Sequence, residues 1–507
     1  MSTDNKSLKR IIDFRHEKLD AIKNSGINPF PYSFDRTDYA DDVIKSYDPD
    51  SDKKQVSIAG RIVSMRKMGK ASFTHLQDES GKIQLYIKRD DVGVDVYNNL
   101  FKNLDLGDII GVTGYVFVTR TEEISVHAEF LTILSKNLRP LPNLKEKDGV
   151  AFNEYGDKEL RYRHRYLDFI ANPQNKIIFE QRATIISAMR SVLDSNGFLE
   201  VETPILQQIY GGASARPFKT FHNTLDESLY LRIADELYLK KLIIGGFEKV
   251  YELAKNFRNE GMDRSHNPEY TSLEFYQAYV DVYYMMDFTE MLIKTIAQKL
   301  NVDTVEFNSF KISLSKPFEK KSMFELLNNA SGKSVDTMDR LGLYEYAKEL
   351  KLEIDKKMNY GQLLDAIFEH LVEPTLINPT FVYDYPKAIS PLAKGKRDGN
   401  QDIVERFELF IGCTEFANAF SELNDPIDQR QRLESQAKLR EIGDEEAQNV
   451  DNDFIEAMEC GMPPTGGVGI GVDRIVMLLT GQNSIKDVIL FPAMRTEKEK
   501  ESIHHKF

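Results

Sequence analysis

The sequence has few cysteines and no long apolar run, and each shortage excludes a class of protein. Its 507 residues include two cysteines, Cys413 and Cys460, which excludes a disulfide framework and a cysteine zinc site. No apolar stretch approaches the length that crosses a membrane. The opening residues, MSTDNKSLKR, lack the apolar core of a signal peptide. We therefore expect a globular protein of the reducing cytoplasm without a membrane anchor.

Positive charge is also scarce, but it is unevenly distributed. Asp and Glu number 80 against 66 Lys and Arg, and the formal net charge is −14. This balance argues against a protein that coats nucleic acid indiscriminately. Residues 51–90 nevertheless hold nine Lys and Arg against four Asp and Glu. The sequence therefore predicts a local RNA contact in this segment.

The N-terminal third contains a helical extension followed by a strand-rich domain. A chain of this length predicts two or three domains. Residues 1–55 begin with an amphipathic helical pattern, which ends at the prolines of NPFPYSF. Residues 56–140 contain five segments of period two separated by glycine-containing turns, which predict a small barrel of the OB type. We expect residues 141–170 to form a linker.

The remainder, residues 171–507, predicts one large α+β domain. Helical and strand patterns alternate there without the repeated spacing of βαβ units, which indicates an antiparallel sheet with flanking helices. Residues from about 290 to 385 are mostly helical in pattern and predict an inserted helical unit. The predicted fold class is therefore α+β, with an N-terminal barrel and a helical insertion in the large domain.

The most informative stretch is FRNEGMDRSHNPEYTSLEFYQAY, residues 257–279. Because strand side chains alternate with period two, Arg258 and Glu260 are predicted to share one face, and so are Glu274 and Tyr276. An arginine and carboxylates on one hairpin can bind a phosphate and an amine together. The stretch thus predicts a site for a ligand that carries both groups.

A second arginine, Arg474, lies in GVGIGVDRIVMLL, residues 467–479. The glycines allow a backbone to approach a ligand closely, and an apolar helix follows them. No strand precedes the glycines in the manner of a dinucleotide fingerprint, and KMGKAS (residues 67–72) lacks the spacing of a phosphate-binding P-loop.

These two stretches resemble motifs 2 and 3 of the class II aminoacyl-tRNA synthetases. NGFLEVETPIL (residues 196–206) resembles motif 1, whose proline is Pro204 here and which forms a dimer interface in that family. With the barrel, three further segments narrow the resemblance to bacterial-type lysyl-tRNA synthetases of subclass IIb: GGASARPF, LRIADELYLKKLIIGGFEKVYEL and NAFSELNDP. The resemblance implies a homodimer that uses ATP to activate L-lysine to lysyl-adenylate and transfers it to the 3′ end of tRNA(Lys).

The resemblance also implies roles at the nucleotide. Arg258 would bind the α-phosphate and Arg474 the far end of the triphosphate, which makes them the catalytic pair. Glu408 and Glu415 would hold Mg²⁺, the hard cation that carboxylates suit. The expected ATP contacts are Arg258, Glu260, His266, Asn267, Tyr270, Glu408, Gly471 and Arg474.

Recognition of lysine requires buried acids, since an ammonium group removed from water without a partner is costly. By resemblance, Glu422 and Tyr276 hold the ε-ammonium group, and Glu236 with the Gly212 backbone holds the α-amino end. How Glu236, Glu274 and Glu422 divide the two ammonium groups stays open from sequence. The expected lysine contacts are Gly212, Glu236, Glu274, Tyr276, Asn418, Phe420 and Glu422.

In the barrel, Gln84 alternates with apolar neighbours and is predicted to face outward, and Phe73 shares a face with His75. An outward aromatic beside amides and cations is a platform for stacking bases. The resemblance implies that Phe73 and Gln84 stack on and read the central uridine of the anticodon.

Three alternatives remain at this point. An aspartyl- or asparaginyl-tRNA synthetase has the same barrel and motifs, but its substrate favours a cationic or amide pocket over three glutamates. A lysyl-transferring paralogue that modifies a protein lacks the barrel. A catalytically inactive RNA-binding relative is disfavoured by intact Arg258, Glu408, Glu415 and Arg474.

Overall fold

The chain forms two compact units, one from the N-terminus to Pro173 with the C-terminal residues from Arg495, and one from Gln174 to Met494. The computed structural model describes residues 2–50, 53–142, 144–147, 150–153, 156–441 and 450–496. The linker predicted at 141–170 includes residues outside the described ranges, so its limits stay a prediction.

The first unit contains a closed barrel with strand order β1-β2-β3-β5-β4. Alternate apolar side chains such as Ile58, Leu76 and Leu85 are fully buried in its core. The predicted five-stranded barrel is therefore confirmed. Its strands are β1 (Gln55–Met68), β2 (Ala71–Gln77), β3 (Lys82–Lys88), β4 (Ile109–Val118) and β5 (Ile124–Ser135).

Shorter elements surround this barrel in the sequence. The predicted N-terminal helix is present and ends at Asn24, before the left-handed Gly26 (φ 81°). The helices are α1 (Ser2–Asn24), α2 (Ala40–Lys45), α3 (Arg89–Val92), α4 (Lys158–Arg163) and α5 (Arg165–Ala171). Two further strands, β6 (Leu144–Lys147) and β7 (Val150–Asn153), pair with each other.

The second unit is built on an eight-stranded sheet of order β16-β17-β18-β19-β20-β13-β12-β8. Its interior pairs are antiparallel, as predicted, and only the pairs at its two ends are parallel. The strands of this unit are β8 (Leu199–Glu200), β9 (Leu206–Gln207), β10 (Lys219–His222), β11 (Glu227–Leu231), β12 (Lys249–Phe257), β13 (Glu269–Ala278), β14 (Thr304–Phe307), β15 (Phe310–Ser313), β16 (Glu319–Ser322), β17 (Thr380–Pro386), β18 (Ile403–Ile411), β19 (Thr414–Ser421) and β20 (Thr465–Gly471).

Helices cover one face of this sheet and leave the other face open to a cavity. On β13, Leu273 and Phe275 enter the main core, while Glu274 and Tyr276 point to the cavity. The core helices are α6, α8 and α14. The helices of the unit are α6 (Lys176–Ser195), α7 (Glu236–Ile244), α8 (Val282–Lys299), α9 (Met323–Ser331), α10 (Arg340–Glu349), α11 (Tyr360–Leu371), α12 (Pro426–Glu441), α13 (Asn452–Glu459), α14 (Val472–Thr480) and α15 (Ile485–Val488).

The segment from about 290 to 385, which the sequence assigns to a helical insertion, contains α9, α10 and α11, and these helices share a hydrophobic core with β17 and β18 of the central sheet. It also contains β14, β15 and β16 and most of β17, a strand of the central sheet. In the described part of the chain, no helix is long and apolar enough to cross a membrane.

Candidate active site

A cavity of about 850 Å³ lies over the open face of the central sheet. It brings together every residue that the sequence assigned to ATP, lysine or Mg²⁺. These residues come from β13, β18, β19 and the position after it, β20, the starts of α7 and α14, and the loops between β9 and β10 and between β12 and β13. Residues separated by more than two hundred positions in sequence therefore meet at one site.

Glycines on β20 make room for this site. Gly469 lies between Glu274 on β13 and Asn418 on β19 in the sheet register. Gly467 lies between Tyr276 and Phe420, and a Cβ atom there would collide with the Tyr276 ring. The glycine-rich stretch is therefore a flat floor between two rows of functional side chains.

The backbone at Arg258 differs from the sequence prediction. Strand β12 ends at Phe257, so Arg258 and Glu260 lie in a loop, and the prediction that they share a strand face is wrong. The Arg258 N–H donates to the carbonyl of Pro268 at 2.9 Å, but Pro268 has no N–H that could donate a hydrogen bond back to Arg258. The ladder therefore stops here. Both Arg258 and Glu260 still line the cavity.

The Arg258 guanidinium lies over the ring of Tyr270, 5.3 Å from its centroid. Its Nε is buried and has no hydrogen-bond acceptor among the described residues. Burial raises the pKa of the Tyr270 hydroxyl to about 12. A buried guanidinium nitrogen without an acceptor is suited to an incoming phosphate oxygen.

Arg474 lies in the first turn of α14, beside the predicted metal ligand Glu415. Its Nη1 donates to the Glu415 carbonyl at 2.6 Å and to Glu415 Oε2 at 3.2 Å. Its Nη2 lies 3.5 Å from Nε2 of His266. A cation, an imidazole and a carboxylate thus meet at one end of the cavity.

Asn267, predicted to contact the nucleotide, is buried and already has backbone partners. Its Nδ2 donates to the carbonyl of Glu269 at 2.5 Å, and its Oδ1 accepts from the Ala493 N–H at 3.1 Å. Its side chain therefore ties the loop to the chain after α15. The neighbouring His266 is held by Asp263, with its Nδ1 2.8 Å from Oδ2.

Glu408 and Glu415 lie on the adjacent strands β18 and β19 and form an acidic corner. Glu408 accepts hydrogen bonds from Arg406 Nη2 at 2.5 Å and Tyr385 Oη at 2.8 Å. Burial raises the pKa of Glu408 to about 7, Arg406 opposes the rise, and Glu415 adds to it. Repulsion between the buried Glu408 and the partly exposed Glu415 is a condition that a divalent cation relieves.

Further acids border this corner on α11 and just after it. Asp365, Glu369 and Glu373 line the same cavity. Burial, with Glu369 and Glu415 nearby, raises the pKa of Glu373 to about 7. Within the described ranges, no group of three or more His, Cys, Asp or Glu is arranged to hold a metal ion. Carboxylate oxygens such as those of Glu408 and Glu415 are ligands that Mg²⁺ accepts.

The predicted lysine acids are joined by a cation that the sequence analysis did not assign. Lys240, one turn after Glu236 on α7, forms an ion pair with Glu236 Oε1 at 2.5 Å and a second ion pair with Glu422 Oε2. All three side chains are buried. Burial raises the pKa of Glu422 to about 8, although the Lys240 ammonium lowers it.

Glu274 and Tyr276 share a face of β13, as predicted, and Tyr276 Oη donates to Glu274 Oε2 at 3.0 Å. Burial and the neighbouring Asp235 raise the pKa of Glu274 well above its usual value. Gly212 has a φ of +85° and lies against Glu236, with its ideal Cβ position 3.1 Å from the Glu236 Cβ. Only glycine fits this approach without strain.

Three residues near the site escaped the sequence analysis: Asp235, Lys240 and Arg406. Lys240 follows Glu236 by four positions, a spacing that pairs charges on a helix and could have revealed it. Arg406 precedes Glu408 by two positions on a strand, so the two share a face. Asp235 gave no periodic signal.

On the barrel, Phe73 and Gln84 lie on neighbouring strands and face the same side, with Phe73 opposite Tyr86 and Gln84 opposite His75. The Phe73 and Tyr86 ring centroids are 5.2 Å apart. Gln84 faces away from the barrel core, as predicted, but its side chain is buried and not open to a ligand. Its Nε2 donates to Glu123 Oε2 at 2.5 Å, and its Oε1 accepts from Ser125 Oγ at 2.9 Å.

Comparison with known proteins identifies the family of this chain. Residues 157–495 match the model of the class II tRNA synthetases for D, K and N, and residues 56–134 match the OB-fold nucleic acid binding domain. A lysine–tRNA ligase of Carboxydothermus hydrogenoformans is 51% identical over 494 residues, covering 97% of this chain and 99% of the relative. The chain belongs to the lysine–tRNA ligases.

Other lysine–tRNA ligases are similarly related. The one from Azobacteroides pseudotrichonymphae is 49% identical, over 96% of this chain and 98% of its own length. The one from Porphyromonas gingivalis strain ATCC 33277 is 50% identical, over 96% and 85% respectively. The chain is therefore an enzyme, an aminoacyl-tRNA ligase, and the expectation drawn from its motifs is confirmed.

Proposed function

We propose that the cavity activates L-lysine with ATP and that the enzyme then esterifies the 3′-terminal ribose of tRNA(Lys). The observation that carries this proposal is the combination of two arginines at one end of the cavity with a buried acidic pocket at the other. ATP requires the arginines, and the two ammonium groups of lysine require the acids. Neither end alone specifies the reaction.

In the first step, the lysine carboxylate attacks the α-phosphorus of ATP. A carbon–oxygen–phosphorus linkage forms, the bond to the β-phosphate breaks, and pyrophosphate leaves with its electrons. Such a step needs positioning and charge stabilisation more than proton transfer. Arg258 would bind the α-phosphate and Arg474 the leaving end. An arginine does not deprotonate, so neither acts as a base.

The remaining assigned nucleotide contacts would orient ATP. The Tyr270 ring already packs against the guanidinium of Arg258. An aromatic ring at this position is also suited to stack on the adenine of ATP. Glu260 and His266 lie in the loop that borders this end, and Asn267 holds the loop in place. Gly471 ends β20 where the chain turns into α14.

We propose that Glu408 and Glu415 would hold Mg²⁺, which would supply positive charge to the site. The raised pKa of Glu408 and the repulsion between the two carboxylates support this assignment. The ion would neutralise charge that develops on the leaving pyrophosphate.

The lysine pocket is proposed to work by charge and by shape. Glu422 and Tyr276 would bind the ε-ammonium group, while Glu236, Glu274 and the Gly212 backbone would bind the α-amino end. Asn418 and Phe420, two positions apart on one face of β19, would form the wall for the carbon chain. An aspartate or asparagine substrate lacks the second cation that these acids need, which disfavours the alternative synthetases.

We propose that the barrel, residues 56–140, binds the anticodon through Phe73 and, once Glu123 releases it, Gln84. We also propose a homodimer that buries the exposed apolar side chains around motif 1, including Leu199, Ile205 and Leu206. The compartment we propose is the cytoplasm, where translation consumes charged tRNA.

One experiment tests the proposed function directly. ATP–pyrophosphate exchange is measured with each of the twenty amino acids in turn, followed by aminoacylation of tRNA(Lys). We expect exchange with lysine only and lysine transfer to tRNA(Lys). Exchange driven by aspartate or asparagine would replace this proposal with the alternative synthetases. Lysine transfer to a protein but not to tRNA would favour the modifying paralogue.

A further inference from the structure

Asp235 lies immediately before α7 and is completely buried, yet it does not line the cavity. Its Oδ1 accepts a hydrogen bond from Asn256 Nδ2 at 3.1 Å. Its Oδ2 has no hydrogen-bond donor among the described residues. The titratable group beside it is the carboxyl of Glu274, which does line the cavity. Two carboxyl groups therefore face each other behind the proposed lysine pocket.

Two of the cations nearby, Arg232 and Lys240, are already paired with other acids, and a third, Arg258, lies over the Tyr270 ring. Arg232 donates to Glu252 Oε1 at 2.7 Å, and Lys240 forms its ion pairs with Glu236 and Glu422. Among the described side chains, none of the ion pairs involves either carboxyl group of the facing pair. Glu274 is faced by Glu236 and Tyr276. Asp235 is faced by Glu252 and Arg232. Tyr270 and Arg258 lie at the cavity side of the pair.

Two buried carboxyl groups in contact cannot both ionise without a cation, so they share one proton. The proton also supplies the O–H donor that Asp235 Oδ2 lacks. Burial raises the pKa of Asp235 to about 6, and burial together with Asp235 raises the pKa of Glu274 well above its usual range. The pair therefore holds a single proton at neutral pH.

We propose that Asp235 is a positioning residue that shares one proton with Glu274, and that this proton is released when lysine binds. The inference rests on the proposed function, because it takes Glu274 as a contact of the substrate ammonium. The ammonium group keeps its three protons and supplies the positive charge that the pair lacked. The shared proton passes to bulk water. Asp235 acts only through Glu274, since it does not reach the cavity.

Shared protonation makes lysine affinity depend on pH in a defined way. Release of one proton on binding changes Kd tenfold per pH unit, with tighter binding as pH rises, until the pair is ionised in the free enzyme. Asp235→Asn is the matched variant. The asparagine Oδ1 can still accept from Asn256, and its Nδ2 can donate permanently to Glu274. The variant therefore mimics the protonated partner and has no shared proton to release.

The test is calorimetric titration of lysine into the full-length protein at pH 7, in two buffers of different ionisation enthalpy. We expect wild type to release about one proton more per bound lysine than Asp235→Asn. Glu422 and Lys240 are unchanged in both proteins, so the difference isolates the pair. Asp384→Asn, which removes a carboxyl group away from the cavity, is the control and should match wild type.

The outcomes separate this inference from the proposed function. Lysine binding with no proton released by wild type overturns the inference by itself, even if the variant does not fold. Equal release by wild type and a folded Asp235→Asn protein also overturns it. Loss of lysine-dependent pyrophosphate exchange by wild type would instead overturn the proposed function. Reduced release together with a flatter plot of log Kd against pH supports Asp235 as proposed.

Discussion

The ammonium group of Lys240 forms an ion pair with the carboxylate of Glu422 at the base of the proposed lysine pocket. Both side chains are buried, so the pair is not weakened by solvent as a surface pair is. The same ammonium group pairs with Glu236. The enzyme therefore keeps a lysine side chain of its own against two of the acids proposed to recognise lysine.

Lys240→Met should shift the pH dependence of lysine binding. The Lys240 ammonium lowers the pKa of Glu422, which burial raises to about 8. Without Lys240 that pKa rises further, so more of Glu422 is protonated at pH 7 and the lysine KM increases. As pH rises the carboxylate returns and the KM falls again. The measurement is the lysine KM in pyrophosphate exchange from pH 6.5 to 9.

Lys240→Arg keeps the charge and should retain most of the wild-type pH profile. If Lys240→Met changed the lysine KM by the same factor at every pH, with no shift of the profile to higher pH, Lys240 would support the fold and would not set the pKa of Glu422.

Arg258→Ala should abolish most of the activation step. Removing one electrostatic donor to a transition state costs typically about 2.7–4 kcal/mol, a fall of roughly a hundredfold to a thousandfold in rate. The measurement is lysine-dependent pyrophosphate exchange, with Arg430→Ala, a partly exposed arginine whose guanidinium lies 3.5 Å from Glu459, as the control. Near-normal exchange by a folded Arg258→Ala protein would remove Arg258 from the nucleotide site.

Local pattern was enough to predict some of this site. The period of two on β13 placed Glu274 and Tyr276 on one face, and the structure has them hydrogen-bonded there. The alternation of five strands was likewise sufficient for the barrel. These features depend on neighbours in sequence, and strand geometry fixes them.

Contacts between segments that are distant in sequence could not be predicted from local pattern. Gln84 is buried because Glu123, from the turn between β4 and β5, covers its amide. Lys240 on α7 pairs with Glu422, the residue after β19, although the two are far apart in sequence. The end of β12 at Phe257 is a feature that the sequence could have predicted. Pro268 on the opposite side has no backbone N–H, so the hydrogen bonding between the two strands cannot continue past it.

Phe73→Ala should affect tRNA and leave amino-acid activation intact. Loss of one stacked base costs about 1–3 kcal/mol, so kcat/KM for tRNA should fall by roughly five- to a hundredfold while pyrophosphate exchange is unchanged. Phe130→Ala removes an aromatic side chain of the same barrel that is 69% exposed and is the matched control. Equal losses in both reactions would make Phe73 a structural residue of the barrel.

The enzyme should sediment as a dimer of its 58.3 kDa chain. Leu206, which is 49% exposed near motif 1, should be covered by the second copy. Leu206→Glu should therefore shift the sedimentation coefficient toward the monomer, because it places a charge in an apolar interface. Leu341→Glu, at a leucine 62% exposed on α10, should leave the dimer intact. A fully active wild-type monomer at micromolar concentration would contradict the prediction.

Glu422→Gln should weaken lysine binding while ATP binding changes little. The amide keeps the shape of the side chain but removes the charge that the ε-ammonium group needs, and Lys240 keeps only Glu236 as an ionic partner. By analogy with truncated buried charge pairs, the loss should be roughly 2–5 kcal/mol in kcat/KM for lysine. Kinetics with lysine and ATP varied separately measure it, with Glu319→Gln at the surface as the control.

Norleucine, which has a methyl group in place of the ammonium group, sharpens this test of Glu422. Wild type should reject norleucine, because its methyl group would displace water from the buried Glu422 carboxylate without supplying the ammonium group that lysine offers beside Lys240. Glu422→Gln should discriminate less between the two amino acids, since that carboxylate is gone. Intact lysine binding with lost ATP binding would instead assign Glu422 to the nucleotide. The pocket would then lack the acid that separates lysine from aspartate and asparagine.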